Sequence, residues 1–356
     1  MPDLPILART LRGLEWIAAA EVQATLGPPR IEHGHRELRF SVPQLTPALT
    51  ALGTVDDVFV VATVVEGVDR HRESLRRLAE AEVDLSRYAT LLGRSARKSF
   101  DVVGSFVGKR NYSRFEIEDA LGGAVAARGG WTYLSRSGGE PARGDLSLRV
   151  HAANSEATVA VRIAPAPLHR RAYRVVSRPG SLHPPLARAL ALLAGLRPGL
   201  SLVDPFCGTG TIPIEAKLAC AELEASGSDL EPEAVEAARR NAEAAGIELE
   251  LAVRDAADLG AADRVASNPP WEATVRFAGR GTLPLEGVDR AVVLAPPGQM
   301  SDAVLQHRIR VSGAVATISV LAGEPVDEGA LYGRELTDAL SFRSDLSEAA
   351  SSPTSP

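Results

Sequence analysis

Apolar positions along this chain change their spacing near its middle, and the change separates two kinds of architecture. In the first half, residues 6–10, 37–42 and 58–65 read as strands, and 14–26 as a helix with Leu14, Ile17, Ala18 and Val22 on one face. Alternating charges around Leu75 and Leu78 give residues 70–81 the pattern of a surface helix. Residues 100–106 read as a strand, 113–128 as a helix, and 146–152 with 157–163 as paired strands. From residue 182 strands and helices alternate: helix 186–196, strand 200–204, helix 212–222, strand 225–229, helix 232–245, strands 248–253, 264–268 and 291–294, helix 302–307, and a last strand or pair over 314–321. Such alternation predicts a parallel sheet with helices on both faces, preceded here by an α+β region. Beyond residue 323 Ser, Glu, Asp and Pro dominate, so residues 325–356 are expected to form a disordered tail.

With 356 residues, 45% of them hydrophobic, the chain can bury more than one core. No apolar run reaches the length of a membrane span, and Asp3, Arg9 and Arg12 break the pattern of a signal peptide. A soluble cytoplasmic protein with no membrane partner is expected. Cys207 and Cys220, the only cysteines, have neither metal-ligand spacing nor a disulfide framework, which suits a reducing compartment and predicts no metal. The net charge of −6 hides an uneven distribution: residues 94–180 hold 15 Lys and Arg against 7 Asp and Glu, whereas residues 201–260 hold 4 against 13. The basic stretch keeps a nucleic-acid partner open despite the acidic total.

The run Val203-Asp204-Pro205-Phe206-Cys207-Gly208-Thr209-Gly210-Thr211 joins an apolar strand to a helix, the ligand-holding corner of an open α/β sheet. No Lys follows Gly210, and Pro213 stands where a dinucleotide fingerprint needs a third glycine, so both phosphate-binding readings weaken. A strand-end carboxylate, Asp204, suits a ligand bearing an ammonium group, as S-adenosylmethionine does, and Gly208 and Gly210 allow close backbone approach. Asp229 and Asp255 recur at the next two strand ends, where one carboxylate can accept ribose hydroxyls and the other an adenine amine; each alone would read as a helix cap. Asn268-Pro269-Pro270-Trp271 follows another apolar strand. An exocyclic ring amine is a poor nucleophile because its lone pair is delocalised. The Asn268 side-chain oxygen and the Pro269 carbonyl can accept its two hydrogens and aim that lone pair, with Trp271 stacked on the ring.

Two basic clusters stand earlier in the chain. Lys109, Arg110, Tyr112 and Arg114 gather where a strand meets a helix, a place from which cations and an aromatic can grip phosphates and stack on a base; a solvated loop explains them equally well. Arg170, Arg171 and Arg174 lie just before Arg178-Pro179-Gly180, the clearest domain boundary.

The loop from Asp204 to Thr211 with Glu215-Ala216, followed by Asn268-Pro269-Pro270-Trp271, resembles the THUMP-domain S-adenosylmethionine-dependent RNA guanine-N2 methyltransferases of tRNA and large-subunit rRNA. Leu7-Ala8-Arg9-Thr10 with Gly13-Leu14-Glu15 is similar to their opening ferredoxin-like strand and helix, and Leu168-His169-Arg170-Arg171-Ala172-Tyr173-Arg174 to the segment joining THUMP to the catalytic domain. The resemblance implies a seven-stranded Rossmann-like class I methyltransferase sheet with an N-terminal α+β ferredoxin-like plus THUMP region. The implied boundaries are ferredoxin-like 1–65, THUMP 66–167, linker 168–182 and methyltransferase 183–324. Its expected cofactor is S-adenosylmethionine, held by Asp204, Phe206, Gly208, Gly210, Asp229, Leu230, Asp255, Ala256 and Asn268, with Asn268, Pro269 and Trp271 as catalytic residues. The expected partner is tRNA, not DNA, bound by a monomer through the two basic clusters. Trp271 and Glu272 stand where the family usually has Tyr or Phe and then Gly. Two alternatives stay open: an RNA-binding protein with a degenerate methyltransferase domain, and a methyltransferase acting on adenine N6 or a glutamine amide.

Overall fold

The computed structural model describes residues 3–27, 30–94, 98–139, 143–271, 285, 287–300, 303–311 and 313–322. The chain folds as two compact units, one made of Met1–Ala8, Arg39–Thr50 and Asp57–Ala166, the other of Arg9–Leu38, Ala51–Asp56 and Pro167–Pro356. In chain order the first elements are β1 (Leu4–Arg9), α1 (Glu15–Leu26), β2 (Glu32–Gly34), β3 (Glu37–Val42), α2 (Ala48–Ala51), β4 (Asp57–Glu66), α3 (Leu85–Leu91), β5 (Ser99–Phe106), α4 (Arg114–Ala127), β6 (Thr132–Tyr133), β7 (Leu146–Ala153) and β8 (Glu156–Arg162). An eight-stranded sheet of order β2-β3-β1-β4-β8-β7-β5-β6 carries the first unit. There β8 runs antiparallel to both β4 and β7, while β5 runs parallel to β7.

Local chemistry accounts for the helices. Ser113 and Glu116 form a reciprocal capping box at the start of α4, and the Asp84 side chain accepts from the Ser86 and Arg87 amides to open α3, a helix the apolar spacing did not announce. The surface helix expected over residues 70–81 is instead a 3-10 helix, Arg72–Glu80. Its two buried residues, Leu75 and Leu78, are three apart, and only a helix of three residues per turn stacks such a pair directly on one side.

The second unit continues with α5 (Pro184–Leu193), β9 (Ser201–Asp204), α6 (Thr211–Ala219), β10 (Glu224–Asp229), α7 (Pro232–Ala245), β11 (Glu250–Val253), β12 (Arg264–Ser267), β13 (Arg290–Ala295), β14 (Leu305–Val311) and β15 (Ala314–Ala322). Its seven strands take the order β11-β10-β9-β12-β13-β15-β14. The first five are parallel, as expected, but β15 runs antiparallel to β13 and β14, so the sheet is mixed. The helix expected over 302–307 is replaced by β14: Leu305, His307 and Ile309 are buried while Gln306, Arg308 and Arg310 are exposed, an alternation of period two that belongs to a strand.

Leu186, Leu190 and Leu193 of α5 and Ile212 of α6 share a core with Leu202, Ala225, Ala266, Val292 and Leu294, which form one face of this sheet. Trp16, Ile17 and Ala20 of α1 belong to the same core. On the other face Val203, Val265 and Ala291 pack with Leu259, which follows a single 3-10 turn, Ala256–Asp258. The segment after Trp271 (272–284 and 286) and the expected tail (325–356) lie outside the described residues. No described helix is long and apolar enough to cross a membrane.

Candidate functional site

The order of the sheet reverses at β9, which has β10 on one side and β12 on the other, both parallel to it. Ligands of open α/β sheets bind at the carboxyl ends of strands at such a switch point. Both motifs singled out in the sequence, the loop after Asp204 and the turn after Ser267, emerge there.

Asp204 is 1% exposed. Its Oδ1 accepts from the Phe206 amide (3.1 Å) and the Ser267 hydroxyl (2.7 Å), which ties the ends of β9 and β12 together. Burial, seconded by the negative charge of Asp229, pushes its carboxyl up to about 7 despite these bonds. Between about pH 4 and pH 7 the folded state therefore holds a proton that the unfolded chain has released. This group costs stability as pH rises through that window, and the cost is constant above it. Asp204→Asn keeps the oxygen that both donors use and removes the charge. In thermal unfolding scans without ligand the variant is expected to gain on the parent from pH 4 to 7, reaching an advantage of at most about 4 kcal/mol at pH 8. Parallel pH profiles would show that Asp204 titrates as an ordinary aspartate.

The glycine loop is fixed from β10. The Cys207 amide donates to the Ser228 carbonyl (2.9 Å), and the Asp229 carboxylate accepts from the Gly208 amide (2.9 Å) and the Glu231 amide (3.0 Å). Gly208 and Gly210 have φ of +52° and +76°, the left-handed region that favours glycine. A side chain at Gly210 would also sit 3.0 Å from the Ala238 Cβ of α7, whereas the space over Gly208 is open. Burial pushes the Cys207 thiol up, with Asp204 and Asp229 adding to the effect, so it stays protonated and serves as a small loop residue. Leu230 presents an exposed apolar side chain (63%) directly after Asp229. Asp255 is exposed, and its Oδ1 accepts from the Ala257 amide (2.9 Å), capping the short turn that begins at the buried Ala256.

At the end of β12, Ser267 and Pro269 are buried and Asn268 is half-buried. The Trp271 indole N–H donates to Asn268 Oδ1 (3.3 Å), and its ring packs against the core shared by α5 and the sheet. The side-chain amide thus has its orientation fixed by the aromatic residue that follows it, with a second lone pair on the same oxygen.

The basic residues separate into two groups. Tyr112 is 4% exposed, donates to the Asp69 carbonyl (3.1 Å) and meets Phe106 edge-on, so it offers no ring to a base. Arg110 donates to the carbonyls of Val107, Val68 and Asn154 and ties its own loop. Lys109 and Arg114 face solvent, Arg114 lying over Phe115. In the second unit Arg170 is exposed and Arg174 half-buried, but Arg171 is turned inward: it donates to Glu215 Oε1 (2.8 Å) and to the carbonyls of Leu168 (2.5 Å) and Gly53 (2.7 Å). Glu215 also accepts from Arg188 (3.0 Å) and the Tyr173 hydroxyl (2.8 Å). Sequence reasoning missed this cluster, and it missed Asn241, which bonds both polar groups of the Val176 backbone and the Thr209 carbonyl and so holds the glycine loop from α7.

Residues 171–282 match the family model of the RMKL-like methyltransferase domain. The tRNA (guanine(6)-N2)-methyltransferase of Thermus thermophilus is 33% identical over 210 residues, 56% of this chain and 60% of that one. The ribosomal RNA large subunit methyltransferase K/L of Photobacterium profundum is 29% identical over 219 residues, 61% of this chain and 30% of that one. The chain therefore spans less than two thirds of the length of these curated relatives. Among solved structures, TrmN from Thermus thermophilus matches with a TM-score of 0.73 at 24% identity over 90% of this chain and 99% of that one. SMU.472 complexed with SAH matches with a TM-score of 0.70 at 16% identity over 92% and 100%. The second unit has the fold of the class I α/β methyltransferases, and the matched segment runs from Arg171 through the glycine loop, Asp229 and Asp255 to Asn268 and Trp271.

Proposed function

We propose that this protein transfers a methyl group from S-adenosylmethionine to the exocyclic N2 amine of a guanosine in tRNA. The observation that supports this best is the pairing of Asp204 and Asn268 on adjacent strand ends, bridged by the Ser267–Asp204 bond at the switch point. The relatives named as tRNA guanine-N2 methyltransferases supply the substrate class.

The residues fit the cofactor. A buried strand-end carboxyl, two glycines in left-handed conformations with open space above the first, and an apolar side chain exposed beside Asp229 are what an aminoacyl tail, a sulfonium and a nucleoside require. Asp204, Phe206, Gly208 and Gly210 would hold the tail, Asp229 and Leu230 the nucleoside sugar and ring, and Asp255 with Ala256 the adenine edge. S-adenosylmethionine supplies, when bound, the activated methyl group. Asn268 Oδ1 and the Pro269 carbonyl accept the two hydrogens of the target amine and expose its lone pair; Trp271 covers the ring. No strong base is required, since the methylated amine sheds its proton to solvent. A base in a stem must first leave its stack, at a cost of a few kcal/mol, roughly.

In this reading residues 1–65 and 66–167 are the ferredoxin-like and THUMP parts, residues 168–182 link them to the methyltransferase domain at 183–324, and RNA meets the exposed cations Lys109, Arg114 and Arg170 together with the half-buried Arg174. Arg110, Tyr112 and Arg171 shape the loops that carry those cations. The test is nucleoside mass spectrometry of unmodified tRNA incubated with the protein and S-adenosylmethionine. N2-methylguanosine is the expected product. Methyl groups found only on adenine N6 or on a glutamine amide would overturn the substrate, and unmethylated RNA in the presence of bound cofactor would overturn the activity.

A further inference from the structure

Three side chains that methyl transfer does not use converge within the second unit: Asp56, His169 and His183, the last at the N-cap of α5. Each offers one ligand atom, and these atoms all lie within 4.8 Å of one another. Asp56 Oδ1 stands 3.4 Å from His183 Nε2. Two donors bound tetrahedrally to one ion at about 2.0–2.1 Å are about 3.4 Å apart, so this edge already has the span of a metal site. His169 Nδ1 lies 3.2 Å from the Asp56 backbone carbonyl. A ring N–H placed on a backbone carbonyl is how metal-binding imidazoles are ordinarily oriented, and it leaves the Nε2 lone pair for the ion. The two imidazoles are stacked, with centroids 5.4 Å apart and planes 26° from parallel. Nδ1 of His183 is buried with no hydrogen-bond partner, an incompletely satisfied ring for a purely structural contact.

We propose that Asp56, His169 and His183 form a binding site for one divalent transition-metal ion of the Zn2+ class, which staples segment 51–56, segment 167–171 and the start of α5 to one another. Two imidazole nitrogens and one carboxylate oxygen are a borderline donor set that favours Zn2+ over the oxygen-seeking Mg2+ and Ca2+. Arg174, Arg171 and Arg36 act on His183 through their charge. Those arginines also oppose a bare cation. Arg171 is paired with Glu215, and the Asp56 carboxylate supplies the compensating charge inside the cluster. Water completes the coordination.

The proposal does not depend on the methyltransferase reading, and its test does not measure methylation. The full chain, freed of metal with a chelator, is titrated with ZnCl2 by calorimetry, with MgCl2 as the control. One equivalent of Zn2+ is expected to bind with a Kd on the order of micromolar or tighter and to raise the thermal unfolding midpoint, while Mg2+ does neither. His169→Ala, His183→Ala and Asp56→Asn should each weaken Zn2+ binding roughly tenfold or more. Should a variant fail to fold, the titration of the parent chain decides alone. Absence of Zn2+ uptake by the parent overturns the site, as does uptake undiminished in the folded double variant H169A/H183A.

Discussion

Asn268→Ala is expected to reduce methyl transfer by about a thousandfold while leaving S-adenosylmethionine affinity within about a factor of three. The effect is large because an exocyclic amine carries its own obstacle: the lone pair that must attack is shared with the ring. Holding both N–H groups in the plane of two acceptors stabilises the amine as it becomes tetrahedral, an interaction stronger in the transition state than before it. In the proposed mechanism Asn268 provides one acceptor, and the Pro269 carbonyl provides the other and survives the substitution. The side chain is also oriented in advance, since the Trp271 indole N–H donates to the same oxygen at 3.3 Å. Truncation therefore removes an acceptor already fixed in place. Asn268→Asp keeps an acceptor oxygen and is expected to retain more activity than the alanine variant. Single-turnover methylation of tRNA measures the chemical step, and calorimetry with S-adenosylmethionine measures binding. Loss of both together would contradict the division of roles, in which Asp204, the glycine loop and Asp229 hold the donor and Asn268 the acceptor.

The geometry on which that proposed division rests was legible in the sequence because each part of it is local. A strand ending in a carboxylate, Gly208 and Gly210 at positive φ, and a proline-stiffened turn after the next apolar strand depend on residues a few positions apart. Even so, Asp255 carries out the bland role of capping a turn as well as standing at the expected strand end. Wherever the outcome depended on a distant partner, the sequence was mute or misleading. Tyr112 and Arg110 looked like a nucleic-acid grip until the Asp69, Val68 and Asn154 carbonyls came round to bind them. Asp56, His169 and His183 have no metal-ligand spacing, since 113 residues separate the first two. The strand at Leu305 was legible but was overlooked: the alternation of Leu305, His307 and Ile309 with polar neighbours outweighs the helical pattern assumed from residue 302. At Leu75 and Leu78 a three-residue spacing separates a 3-10 helix from an α-helix only weakly, and tertiary packing settles it.

Arg171 was the furthest from expectation, and it leads to the second large effect. Glu215→Ala is expected to destabilise the second unit by about 3–5 kcal/mol, lowering its unfolding midpoint by on the order of 10 °C. The Glu215 side chain is fully buried, and the guanidinium groups on it belong to side chains only 14% and 9% exposed. Their charges were brought out of water to meet this one carboxylate. Removing it leaves two buried cations without the carboxylate that both contact, together with the Tyr173 hydroxyl, whose ionisation burial and the Glu215 charge already oppose. A surface ion pair would contribute under about 1 kcal/mol, so the size of the effect distinguishes a buried hub from a decorative contact. Position adds a functional consequence. Glu215 lies on α6, the helix that begins directly after Gly210, while Arg171 donates to the Gly53 carbonyl and Arg188 lies so close over Gly53 that a Cβ there would stand 2.4 Å from its Nε. The hub thus sets the seat of α6, and through α6 the conformation of the glycine loop. Cofactor affinity should fall in Glu215→Ala at temperatures where the unit is still folded. Chemical denaturation followed by far-ultraviolet circular dichroism, with calorimetric titration of S-adenosylmethionine below the transition, tests both halves. A loss of stability under about 1 kcal/mol would mean that water reaches the two arginines, and unchanged cofactor affinity would uncouple the hub from the loop.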